Sequence, residues 1–253
     1  MRVGLPGASW MQATDAKCFW QCGLVHSPST IWILSKHAAW MAYLSLPMLY
    51  TVSSPWWIRR LFPACIWEMP QDIPAVYLTF DDGPHPVATP FVLDTLGAYG
   101  MKATFFCIGQ NVLAYPDLYQ RILDEGHSVG NHTHRHLSGW NTPDADYLED
   151  IRTAGRLISS DLFRPPYGRI TFSQLRKLGS GSAPMRTVMW SVLSGDFDAR
   201  ISPEKCLRNV MDHMKAGSIV TFHESEKSMP RMIKVLCYVL DEMKRQGWEG
   251  KKM

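Results

Sequence analysis

Residues 77–84 read YLTFDDGP, and the reading of this stretch decides how the rest of the chain is arranged. From Ala75 to Phe80 the chain is almost continuously apolar, with Val76, Tyr77, Leu78, Thr79 and Phe80 all β-formers. That is the pattern of a strand covered on both faces, as in a parallel sheet. The run stops at two adjacent carboxylates, Asp81 and Asp82, and Gly83-Pro84 then enforces a turn. Neighbouring carboxylates on the rim of a buried strand repel each other unless a cation lies beside them. In isolation DDG at a strand end is a plain turn, so its weight depends on the remainder of the chain.

Downstream, strands and helices alternate. Strands are expected over 103–108, 127–130, 162–164, 187–192 and 218–222. Helices are expected over 90–100, 116–126, 142–160, 171–179, 202–217 and 230–247. The first of these puts Val92, Leu93, Leu96 and Tyr99 on one face and stops at Gly100. Alternation without an internal repeat indicates a parallel α/β architecture. Every unusual polar cluster comes directly after a strand: DD, NHTHRH (131–136), RPPYG (164–168), SGDFD (194–198) and HE (223–224). Strand C-terminal ends share one face in both open sheets and barrels. A barrel brings five such clusters to a common centre more easily than an open sheet does.

The 253 residues are 46% hydrophobic and 19% charged, which suits a globular protein with a sizeable core. The net charge of +3 is unevenly placed. Before Glu68 stand Arg2, Lys17, Lys36, Arg59 and Arg60 against Asp15 alone, and the remainder is close to neutral. A near-neutral body argues against a nucleic-acid surface. The six cysteines show no CxxC pair or disulfide ladder, and buried thiols are expected. Residues 38–52 form an uncharged run, too short and too interrupted by Pro47 for a confident membrane span. Residues 1–47 are read as an N-terminal extension, either poorly ordered or an export or anchoring segment, and membrane association would come only through it. Residues 48–74 are read as a lead-in packing on the main domain through Trp56, Trp57 and Trp67, and residues 75–253 as that domain.

The clusters suggest chemistry. His132 and His136, spaced i, i+4 on a helical turn or compact loop, can face one point. With Asp82 they form a two-histidine, one-carboxylate set that holds a divalent metal and leaves positions open. Zinc is the first expectation, with cobalt, nickel, manganese or iron fitting the same ligands. Such a metal activates water and polarises a carbonyl, and Asp81 is free to serve as general base. His223, at the end of the last strong strand, can serve as general acid. Arg164 offers a fixed cation. Because Pro165 and Pro166 lack N–H groups, Tyr167 supplies the first free amide for an oxyanion. Asp196 could pair with Arg164 or orient His223. Trp190 and Phe197 could wall the pocket, stack on a sugar ring or pack in the core.

In this order, TFDDGP, HTHRH, RPPYG, SGDF and SIVTFH resemble the polysaccharide deacetylases, the NodB-homology domain of carbohydrate esterase family 4, over residues 76–248. The resemblance implies a distorted (β/α) barrel and metal-dependent removal of acetyl groups from N-acetylated glycans such as chitin and peptidoglycan. It implies Asp81 as base, Asp82, His132 and His136 as metal ligands, and Arg164 and Asp196 as a supporting pair. Tyr167 would then be the oxyanion amide and His223 the acid, with Pro166, Tyr167, Trp190 and Phe197 touching substrate. The chain departs from the family pattern at Leu193 and Phe197, where an additional Asp and a Trp are usual. Thr221 replaces an aliphatic residue, and His134 is unusual within the histidine motif. A monomer is expected, acting at the cell envelope or outside the cell rather than in the cytoplasm. An O-acetyl esterase on xylan-like glycan, a non-catalytic glycan-binding protein and an amidase of small cyclic substrates remain alternatives.

Overall fold

Strand β1 (Ala75–Asp81) is buried at every position, as its apolar run predicts. In the computed structural model, which describes residues 51–181 and 183–253, it lies near the middle of one sheet. The other strands are β2 (Thr104–Cys107), β3 (Ser128–Asn131), β4 (Leu162–Phe163), β5 (Arg186–Thr187), β6 (Val192–Leu193), β7 (Ile219–His223) and β8 (Glu249–Gly250). The order is β5-β4-β3-β2-β1-β7-β6, every pairing is parallel, and β8 adds to the start of β1.

The helices are α1 (Trp56–Leu61), α2 (Ala88–Tyr99), α3 (Gly109–Ala114), α4 (Pro116–Asp124), α5 (Asp144–Gly155), α6 (Phe172–Ser180), α7 (Pro203–Met211) and α8 (Met229–Arg245). Their ends carry the expected signals. Gly100 closes α2 in the left-handed conformation, and Thr171 with Gln174 forms a capping box on α6. Alternation along β1 divides the molecule. Val76, Leu78 and Phe80 join the core shared with Val92, Leu93 and Leu96 of α2 and Val235, Leu236, Val239 and Leu240 of α8. Ala75 and Tyr77 belong to a different cluster, on the other face, with Phe106, Val188 and Ile219. Thr79 and Asp81 share that second face by the period of the strand.

The stretch 187–192, expected as one strand, is two. β5 pairs with β4 at one edge of the sheet and β6 pairs with β7 at the other. Five peptide steps separate Thr187 from Val192, a reach of roughly 18 Å at most, so the sheet must curl until its edges nearly meet. The lead-in seals that seam: Ile66 bridges to Val188 and Ser53 to Val192. The result is the distorted barrel. The lead-in packs less fully than expected. Trp67 is buried beside Cys65 and Met189, whereas Trp56 and Trp57 are 70% and 55% exposed. Cys65, Cys107 and Cys206 are buried free thiols, and Cys237 is exposed. The expectations for residues 1–47 lie outside the described residues. Among those described, no helix is long and apolar enough to cross a membrane.

Candidate active site

The turn after β1 carries both carboxylates, and three neighbouring elements hold its backbone. The Asp81 carbonyl accepts from Glu224 N–H at 2.7 Å, the Asp82 carbonyl from Asn111 Nδ2 at 2.7 Å, and the Gly83 carbonyl from Ile108 N–H at 2.9 Å. Asp82 needs that support, because its φ of +76° lies in the left-handed region. For a side chain other than glycine that region costs on the order of 1–2 kcal/mol.

The histidines sit on a loop rather than a helix. Asn131 Oδ1 takes the Thr133 N–H at 2.8 Å, and buried Asp150 takes the backbone N–H groups of His134 and Arg135 and the Arg135 side chain. Thr133 and His136 adopt positive φ of 64° and 58°, and this winding brings residues 132 and 136 to one point. Asp82 Oδ1 lies 3.6 Å from His132 Nε2 and 3.1 Å from His136 Nε2. The three ligand atoms fall within 4.8 Å of one another.

A divalent metal fits these residues. Asp82 Oδ1 is buried and lacks an ordinary hydrogen-bond partner. His132 Nδ1 donates to the Arg164 carbonyl at 2.8 Å, which fixes the tautomer that leaves the Nε2 lone pair facing inward. Burial alone would raise the Asp82 pKa, but the two imidazoles and the His223 charge hold it well below the usual carboxylate range. The carboxylate is thus ionised and ready to ligate. His134 is not part of the set. Its ring packs on Gly109, where a Cβ would lie 2.5 Å from Nδ1.

Two supporting pairs flank the triad, and of the two partners that the sequence left open for Asp196, Arg164 and His223, it takes His223. Arg164 is fully buried and binds Asp81, with Nη1–Oδ1 at 2.7 Å. Its other donors reach Thr79 Oγ1 at 2.7 Å, Val188 O at 3.3 Å and Met189 O at 2.8 Å, and the guanidinium stacks 4.1 Å over Phe106. Asp196 serves the other side. Its carboxylate takes the His223 N–H at 2.7 Å and His223 Nδ1–H at 2.8 Å. Arg231 donates to the Asp196 carbonyl at 2.6 Å. Burial opposes a charged His223, but Asp196, with Asp82 and Asp81 behind it, outweighs burial and raises the imidazole to about 9.

The remaining candidates divide by role. Tyr167 has a φ of +60°, is 61% exposed, and meets His136 edge-on at 4.7 Å. Its ring therefore lies beside the triad. Phe197 walls His223 at 5.0 Å. Trp190 is half-buried and packs on Gly168, where a Cβ would lie 2.6 Å from its ring. Pro166 is buried beneath the turn. Trp140, 59% exposed, extends the rim, with the Arg169 guanidinium 5.5 Å over its ring and 5.4 Å over that of Tyr167. Sequence reasoning missed Trp140, Thr79, Asn111, Asp150, Arg231 and Glu224. Only Glu224 stood inside a cluster, and its carboxyl is buried and pushed up to about 8 by desolvation and the nearby aspartates.

Residues 68–180 match the family model for polysaccharide deacetylases. A peptidoglycan-N-acetylglucosamine deacetylase of Bacillus cereus is 36% identical over 72% of this chain and 87% of its own length. The chain belongs to the polysaccharide deacetylase family. A chitooligosaccharide deacetylase of Bradyrhizobium is 34% identical over 69% of this chain and 87% of its own. A crystal structure of a peptidoglycan N-acetylglucosamine deacetylase superposes with a TM-score of 0.71 at 29% identity, over 79% of this chain and 95% of that one.

One departure of this deacetylase from the family pattern has a structural reason. Thr221 Oγ1 lies 3.0 Å from Thr79 Oγ1, so it extends the polar network that receives Arg164. The Asp196–His223 pair yields a direct test. In metal-free protein, an NMR titration is expected to place His223 near 9. Its contribution to stability is then fully present below the ordinary 6.5 and lost as pH rises towards 9. Asp196→Asn removes the opposing charge and leaves burial, so the His223 pKa falls; an unchanged value would separate the pair.

Proposed function

We propose that this deacetylase removes N-acetyl groups from N-acetylglucosamine units of peptidoglycan-type or chitin-like polysaccharide and releases acetate. The observation that carries the proposal is the pair of proton-carrying groups beside the triad: Asp81, bound to Arg164, and His223, bound to Asp196 and held charged by it. Hydrolysis of an amide needs both at once, a base for the attacking water and an acid for the departing amine.

Asp82, His132 and His136 would hold one divalent metal, zinc by donor chemistry, which when bound polarises the acetyl carbonyl and acidifies water. Asp81 takes a proton from the water whose oxygen attacks the acetyl carbon. The Tyr167 amide donates to the developing oxyanion. The His223 imidazolium gives its proton to the amide nitrogen as the carbon–nitrogen bond breaks, leaving acetate and a free amine. Arg164 holds the Asp81 carboxyl in place, and Asp196 favours the charged His223 imidazole. Exposed Trp140 and Tyr167, both against Arg169, offer ring surface to a sugar next to the reacting unit. Such a substrate places the work at the cell envelope or outside the cell.

The test is acetate release from N-acetylglucosamine oligomers and from peptidoglycan, with and without a chelator, then with zinc or cobalt restored. Release that stops with chelator and returns with metal is expected. Release from acetylxylan alone would replace the amide substrate with an ester, and a protein that holds no metal would be a glycan-binding member of the family.

A further inference from the structure

We infer that Glu224 is a positioning residue for the metal centre: its buried carboxyl braces Gly83 and thereby holds Asp82 in the left-handed conformation that aims Oδ1 between the two imidazoles. The inference rests on Asp82 as a metal ligand, as proposed above.

Glu224 is the neighbour of the acid His223 in the chain, yet it has no place in the proton transfers. It is 1% exposed, and neither Oε1 nor Oε2 meets a partner at hydrogen-bonding geometry. Native proteins rarely bury such a group without a use for it. The contacts of Glu224 lie at both ends of the DDGP turn. Its N–H holds the Asp81 carbonyl at 2.7 Å. Its carboxyl lies flush against Gly83, so that a Cβ there would stand 2.0 Å from Oε2 and 3.0 Å from Cδ. The Thr89 hydroxyl, which accepts the His85 N–H at 2.8 Å, is near enough to the carboxyl to oppose part of the rise in its pKa.

One side chain therefore closes the floor of the loop that presents Asp82. The Asp82 and Gly83 carbonyls are tied to Asn111 and Ile108. Without the floor, the strained Asp82 backbone is free to relax, and its carboxylate moves off the imidazoles. Glycine at 83 is required by this contact rather than by backbone conformation, since Gly83 is not among the positive-φ residues.

The experiment is zinc titration by calorimetry on chelator-stripped protein, with folding checked by near-UV circular dichroism. Gly83→Ala forces the carboxyl aside and lowers zinc affinity about tenfold or more, the usual cost of disturbing a ligand's support. Glu224→Asp, shorter by one methylene, withdraws the brace and weakens zinc as well. The double variant Gly83→Ala/Glu224→Asp regains affinity, because the shorter side chain makes room for the new methyl group. Glu224→Gln keeps shape and affinity. Wild-type affinity in Gly83→Ala, or losses that simply add in the double variant, would overturn the inference. If Gly83→Ala does not fold, Glu224→Asp as tight as Glu224→Gln would overturn it equally. A wild-type protein that binds no zinc would instead remove the metal centre itself, a failure distinct from a misplaced brace.

Discussion

Asp81→Asn lowers acetate release by about 10²- to 10⁴-fold, the range that a positioned general base supplies, while zinc remains bound. The amide keeps an oxygen to accept from Arg164 Nη1, now 2.7 Å from Oδ1, so the loop and the His132 contact to the Arg164 carbonyl survive. What disappears is the lone pair basic enough to accept a proton from water. Steady-state rates beside a zinc titration separate the two effects. Turnover near wild type would reassign the base, and loss of zinc together with turnover would make Asp81 a ligand instead.

Arg164→Ala produces the largest expected loss of stability. The guanidinium is fully buried, burial pulls its pKa down, and the Asp81 charge and hydrogen bond work against that. Removing it leaves an uncompensated carboxylate in the barrel interior and three acceptors, Thr79 Oγ1, Val188 O and Met189 O, without their donor. Breaking a buried pair from one side costs about 3–5 kcal/mol, which for a domain of this size lowers the melting temperature by roughly 10 °C. Arg164→Lys is no substitute, because one ammonium cannot reach four acceptors fixed by a planar fork. Scanning calorimetry measures the loss. A change below about 1 kcal/mol would place the pair with exposed salt bridges, whose contribution is that small.

The parts legible in the sequence were those written in neighbouring residues. The β1 run, the helix caps at Gly100 and Thr171, and the clusters at strand ends all encode short-range preferences. The alternation of elements placed those clusters on one rim. The parts that were not legible depend on residues far apart in the chain. Asp196 could have served either Arg164 or His223, and the curl of the sheet placed it against His223 and left Arg164 to Asp81. The run 187–192 has strand propensity throughout, but it crosses the barrel seam, so that its start pairs with β4 and its end with β7. Thr221 looked like a flaw in an apolar strand until Thr79 was found beside it.

By itself, then, the sequence determined the alternating α/β order, the family and the set of candidate reacting groups, because each is carried by side-chain type and local spacing. Tertiary structure alone decided which carboxylate supports which partner, where the sheet closes, and that a buried Glu224 lies against Gly83. Those choices depend on which strands become neighbours and on the free energy of placing charges together away from water, and neither quantity is local in the chain.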